Sequence, residues 1–289
     1  MLSRAAYAIV LAAGLCACSL LADLGSLREG DARAPEEGGA DGSLPDGSLP
    51  DAPSPDGSLP PVDGGDVYGA AVRADAPVLW LRFEEASGPA AIDSAGGLDG
   101  AYSSSGVSFG RAGAMAGSRA VRFDGATGRL TLGTRHPFTG TASFSLELWV
   151  NTESVDDNVR RLLVRGVGDG AGTGYGIQSS SAATGGLLFY RRTSGGETYA
   201  LAPPLVVGQW THVVVTFAQS DRARIYTNGV EQGDGNPLGL LADPSESVLT
   251  VGDAPGGLFY KWLGALDEVA IYDKALTPQR IKAHFDAAK

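Results

Sequence analysis

Beyond Val67 the sequence breaks into short apolar runs, each five to eight residues long, with turn-forming residues between them. The clearest are VLWLRFE (78–84), AVRFD (120–124), RLTLG (129–133), FSLELWVN (144–151), RLLVRGV (161–167), GLLFYRR (186–192), THVVVTFA (211–218), ARIYTN (223–228) and SVLTVG (247–252). Runs of this length, bounded by Gly, Asp, Ser and Pro, are strands rather than helices. In FSLELWV, Phe144, Leu146, Leu148 and Val150 alternate with Ser145, Glu147 and Trp149, the pattern of a half-buried antiparallel strand. Asn228-Gly229 supplies a tight hairpin turn. Many such antiparallel strands without intervening helices predict an all-β fold, a sandwich or jelly roll. One short helix closes the chain, with Thr277 as its N-cap, Pro278 in the first position and Ile281 and Phe285 on one face.

The first 66 residues are of another kind. Arg4 precedes an apolar run at residues 5–15, the length of a signal-peptide core and short for a membrane span. Residues 41–60 are four pentads, DGSLP, DGSLP, DAPSP and DGSLP, each beginning with Asp and ending with Pro. Proline removes donors, glycine adds chain entropy, and one leucine in most pentads is too little to offset ordering. Residues 19–66 hold 11 acids and 2 bases, a net −9, out of −11 for the whole chain. A tether of this length spans roughly 40 Å as a flexible coil, more with like-charge repulsion. The expected organisation is a signal segment at 1–17, a tether at 18–66 and one domain at 67–289. No basic patch stands out, so nucleic acid is not an expected partner.

LCAC at residues 15–18 resembles a bacterial lipoprotein cleavage motif. The resemblance implies cleavage before Cys18, lipidation of Cys18, and anchoring of an exported protein to the cell envelope. Ser19, rather than Asp, leans towards the outer membrane. The membrane is then a partner through the lipid alone. Both cysteines lie in this segment, so the domain must hold together without disulfides.

Six stretches resemble the laminin-G-like jelly rolls of the concanavalin A-like lectin/glucanase superfamily. They are VLWLRFEEASGPAAIDSAGGLDGAY, AVRFDGATGRLTLG, FSLELWVN, QWTHVVVTF, ARIYTNGV and LGALDEVAIYDKALTPQRIKAH, together running from about Val72 to Ala288. The resemblance is specific for fold and weak for function, because one fold hosts lectins, adhesion modules, glucanases and passive domains. It implies a two-sheet antiparallel jelly-roll sandwich, and a non-catalytic module that binds glycan or an extracellular protein. The alternatives are an exported glycan-cleaving enzyme of the same superfamily and a passive structural domain. The Glu-x-Asp-x-x-Glu strand of the glucanase members is absent, and Glu147 and Glu153 stand six apart.

Read as one regular strand, GALDEVAIYDKALT (264–277) turns Asp267 inward with Val269 and Ile271 and turns Glu268 to the opposite face. An inward carboxylate needs a cation or several donors. The resemblance implies calcium, with Asp93 and Asp267 as ligands and Asp99 as a weaker third. The alternative is that Asp267 accepts backbone N–H groups and Asp93 makes an Asx turn. Sugars stack on aromatic rings, which makes Tyr175, Tyr190, Tyr199 and Tyr260 the candidate ligand-binding residues. Trp80, Trp149, Trp210 and Trp262 read as structural, as does a packed, hydrogen-bonded His212.

Overall fold

The structure is a computed structural model, and it describes residues 66–289 apart from 139–141, 157, 167–173, 180–185, 194–195, 219–221, 236–246 and 256–259. The side chains of Thr193 and Tyr260 also lie outside it, as do Cys18 and the Asp-Pro pentads. In chain order the elements are α1 (Val67–Ala74), β1 (Leu79–Leu81), β2 (Ala90–Ala91), β3 (Gly100–Tyr102), β4 (Val107–Ala112), β5 (Arg119–Asp124), β6 (Leu130–Thr131), β7 (Phe144–Thr152) and β8 (Arg160–Gly166). They continue with β9 (Gly174–Ser179), β10 (Leu187–Thr193), β11 (Gly196–Ala202), β12 (Trp210–Phe217), β13 (Ala223–Thr227), β14 (Val230–Asp234), β15 (Val248–Val251), β16 (Tyr260–Lys261), β17 (Leu263–Tyr272) and α2 (Pro278–Ala287).

The strands form two sheets. One runs β14-β13-β12-β7-β17-β5-β4, with β1 added beside β17. The other runs β11-β10-β9-β8-β15-β6-β3-β2, with β16 beside β8. The expected sandwich is present: the inner faces of both sheets meet in one core that includes Phe144, Leu146, Leu148, Val150, Tyr175, Ile177, Phe189, Val213, Val215 and Ile225. The alternation in β7 produces this, since its odd and even positions face different layers.

A second apolar layer lies on the outer face of the β7/β17 sheet. Tyr68 and Val72 of α1 and Ile281 of α2 pack there against Trp80, Trp149, Val214, Tyr226, Ala270 and Tyr272. The C-terminal helix matches expectation, with the Thr277 side chain accepting from Arg280 N. Helix α1 does not: the sequence predicts no helix at the start of the domain. Its signal is short and diluted by Gly69, yet Asp66 caps it by accepting from Gly69 N at 2.8 Å. Gly69 is needed for that cap, because a Cβ there would sit 2.1 Å from Asp66 Oδ2.

Candidate functional site

Both described helices cover one sheet, and the outer face of the other carries the aromatic candidates. Tyr190 and Tyr199 are directly opposite each other on β10 and β11, so they share that face. Tyr190 is buried against Val164, Leu188 and Ala254, outside the main core. Tyr199 is 38% exposed, and Leu201, two residues on, is 48% exposed. The Arg161 guanidinium lies 5.5 Å from the Tyr190 ring centre. Two positions along the same face, Arg192 and Glu197 oppose each other and pair at 2.8 Å. The result is a shelf of two tyrosines edged by Arg161, Arg192 and Glu197. These three edge residues are not among the sequence candidates, although the strand registers place them beside the tyrosines.

The shelf depends on a glycine. A Cβ at Gly176 would lie 2.9 Å from Leu163 O and equally close to Cε1 and the hydroxyl of Tyr190, so the ring lies across β9 at that point. Gly176→Ala should therefore tilt Tyr190 off its seat and cost about 1–3 kcal/mol, as overpacking does. A thermal melt checks the cost, and loss of the Arg161–Tyr190 stack in a crystal structure checks the cause.

The other tyrosines divide. Tyr175 is a correction: it opposes Arg191 on the inner face, is fully buried, and gives its hydroxyl to His136 O at 2.9 Å. It is a core residue with no surface for a ligand. The Tyr260 side chain lies outside the described residues; its backbone pairs with Arg160 of β8.

The acids of β17 also require a correction. The pairing of β17 with β7 shifts between Asp267 and Ala270, and Glu268 takes φ 48°. One extra residue at this bulge reverses the faces on either side of it. Asp267 therefore opposes Trp149 on the outer face, while Val269 and Ile271 enter the core. Both acids are fully buried. Strand β5 pairs with residues 263–266 and β1 with 269–271, so Asp267 sits where one neighbour ends and the next begins. Its Oδ2 accepts from Ala114 N at 2.9 Å and Ser118 Oγ at 3.3 Å. Its Oδ1 has no hydrogen-bond partner among the described residues. Burial, then the charge of Glu268, holds the Asp267 carboxyl well above its ordinary range. Glu268 accepts from Trp80 Nε1 at 2.5 Å and Arg82 Nε at 3.0 Å. Burial raises it to about 7 against the opposing pull of Arg82 and Trp80.

Asp93 and Asp99 are brought together, but around backbone. Asp93 Oδ1 accepts from Trp80 N at 2.9 Å and from Ala95 N at 3.0 Å, an Asx turn, and Asp93 N donates to Asp99 Oδ1 at 2.9 Å. Asp93 and Asp267 share no partner. Among the described residues no group of three or more His, Cys, Asp or Glu is placed to hold a metal. The observation that bears on a hard cation is the orphaned, buried Oδ1 of Asp267, a single free oxygen. Asp124, a turn acid, accepts from the backbone N–H of Ala126, Thr127 and Gly128, and despite partial burial its carboxyl falls to about 2.

One polar centre has no counterpart among the sequence candidates. Glu147, fully buried on the outer face of β7, accepts from Tyr68 Oη at 2.9 Å and Tyr272 Oη at 2.6 Å. His212 Nε2 lies 2.7 Å from its Oε1 and His284 Nδ1 lies 3.0 Å from its Oε2. Burial would raise Glu147, but His284 and His212 hold it far below the usual carboxylate range. His212 is packed and hydrogen-bonded, as its sequence context predicts.

A family model described as the concanavalin A-like lectin/glucanases superfamily matches residues 124–282. The chain belongs to that superfamily. Adhesion G-protein coupled receptor D1 of Homo sapiens is 30% identical over 118 residues, 40% of this superfamily member and 13% of the receptor. Among solved structures, the Botulinum neurotoxin serotype D binding domain superposes with a TM-score of 0.56 at 10% identity, covering 75% of this chain and 52% of that one. Trypanosoma rangeli sialidase, solved as a covalent intermediate with difluorosialic acid, has a TM-score of 0.55 at 16% identity, covering 73% of this chain and 33% of the sialidase. At these identities the structures are alike in fold.

Proposed function

We propose that the jelly roll is a non-catalytic binding module, held at the surface of the cell envelope by a lipid on Cys18, that takes glycan or an extracellular partner on the Tyr190–Tyr199 shelf. The observation that carries this reading is the outer sheet face that neither described helix covers, where Tyr199 stands exposed directly opposite the buried Tyr190. Flat rings edged by charged hydrogen-bonding groups suit a sugar, whose faces are apolar and whose rim is hydroxylated. Two relatives lend support: one is a toxin binding domain and one an adhesion receptor. Carboxylate geometry adds to it, since Asp267 and Glu268 are fully buried, away from a surface that a substrate could reach. A glycan array probed with the purified protein tests the reading. Wild type should retain a defined set of glycans and Tyr199→Ala should lose them; an array on which the two proteins are indistinguishable would overturn it.

Calcium belongs to the same proposal at Asp267, as a structural ion rather than a participant in chemistry. The anchor is tested separately. Cys18→Ser should move the protein out of the membrane fraction or block its processing. A variant that is processed and fractionates as wild type does, together with no acyl mass on the wild-type N-terminal peptide, would contradict it.

A further inference from the structure

We infer that α1 and α2 form a clasp over the outer face of the β7/β17 sheet, closed by a protonated His284 that bridges Asp75 and Glu147. Both ring nitrogens of His284 face acceptors. Nδ1 lies 3.1 and 3.0 Å from the two carboxylate oxygens of Glu147. Nε2 lies 2.9 Å from Asp75 Oδ2 and 3.1 Å from Ala71 O. A neutral imidazole donates from one nitrogen only; the imidazolium donates from both. The geometry is therefore complete only when the ring carries two protons, one towards the sheet and one towards α1.

Helix α1 depends on such contacts to stay closed. It has eight residues, with Gly69 among them, far below the length at which a helix is stable alone. Tyr68 and Val72 give it an apolar footing. Its polar ties run to the sheet through Tyr68–Glu147 and Asp66–Arg82, and to α2 through Arg280, which donates to Asp75 Oδ2 at 2.7 Å and Ala71 O at 3.1 Å. Lys274 also stands 3.9 Å from Asp75. Around His284 the remaining faces are the rings of Tyr68 and Tyr272, with His212 on the far side of Glu147. The charges meeting His284 are thus two carboxylates, with Arg280 and Lys274 beyond Asp75 and His212 beyond Glu147. Although burial opposes its charge, Glu147 and Asp75 raise the affinity of His284 for its proton.

The sign follows. A histidine whose proton is held more tightly in the closed state contributes fully below its free pKa of about 6.5, and that contribution is lost as pH rises through the closed-state value. Between those two values one proton leaves per opening, so the opening constant rises about tenfold per pH unit and then levels off. Because α1 is the first described element, opening would free it while leaving the sandwich intact.

Hydrogen exchange on the full chain between about pH 5.5 and 9.5, expressed as protection factors, tests this. Amides of α1 and α2 should lose protection by up to tenfold per pH unit above about 6.5, while those of β7 and β12 stay constant. His284→Gln should flatten the dependence. Asp75→Asn, at the partly exposed end of the bridge, should narrow its pH span and serves if His284→Gln does not fold. Protection of α1 that is flat with pH in the wild type, a slope unchanged in the variants, or an equal slope in every strand would each overturn the clasp.

Discussion

Glu147→Ala should lower the melting temperature by roughly 6–20 °C at neutral pH. The carboxylate sits beneath both helices with two tyrosine hydroxyls and two histidines on it. Removing one partner of a buried ionic network strands the others, at a cost of about 3–5 kcal/mol, which is the larger loss because the remaining groups stay buried. At about 2–4 °C per kcal/mol for a domain of this size, the shift is readily measured by circular dichroism. Tyr272→Phe removes one donor only and should cost about 1–3 kcal/mol. A Glu147→Ala melt within 2 °C of wild type, which at the same conversion is about 1 kcal/mol or less, would show that the centre is hydrated and not a buried network.

Chelator should lower the wild-type melting temperature by roughly 5–10 °C if calcium completes the shell of Asp267. Binding to the folded state alone adds about 2.7 kcal/mol at a hundredfold excess over Kd, which converts at about 2–4 °C per kcal/mol. Asp267→Asn keeps the side-chain shape and should abolish the sensitivity to chelator. Asp93→Asn distinguishes a wider site: its own Asx turn weakens in any case, but chelator sensitivity should persist unless Asp93 is a ligand. A wild-type melt unmoved by chelator would leave Asp267 as an acceptor of the Ala114 and Ser118 donors, held well above its ordinary range by burial.

The sandwich was legible because its strands obey a period of two. FSLELWVN delivers Phe144, Leu146, Leu148 and Val150 to the core, as its alternation predicts. The period misleads where a residue is inserted. At Glu268 the bulge changes the face of Asp267, and nothing in GALDEVAIY marks the extra residue, since Glu268 is not a glycine. In GLLFYRR, Arg191 faces inward, its guanidinium 4.9 Å from the Phe144 ring and 4.7 Å from the Phe217 ring; charge alone would place it outside. The Glu147 centre escaped for a different reason. Its histidine partners lie 65 and 137 residues away along the chain, so no local spacing could assemble it. A clue was present in composition: Glu147 and His212 are the titratable residues of FSLELWVNT and WTHVVVTF, and in the fold those strands are adjacent. In sequence the tyrosine candidates share only aromaticity near glycine, and strand register alone separates Tyr199 on the outer face from Tyr175 in the core.

Calorimetric titration of the best array oligosaccharide into wild type and Tyr199→Ala, with the sugar recovered afterwards and sized by chromatography, tests the central claim most directly. A binding module using the shelf should give saturable binding, at least about tenfold weaker in the variant, as loss of a buried anchor worth about 1.4 kcal/mol or more requires, and the sugar should return at its original length. Equal affinity in both proteins, or a shortened sugar, would contradict it.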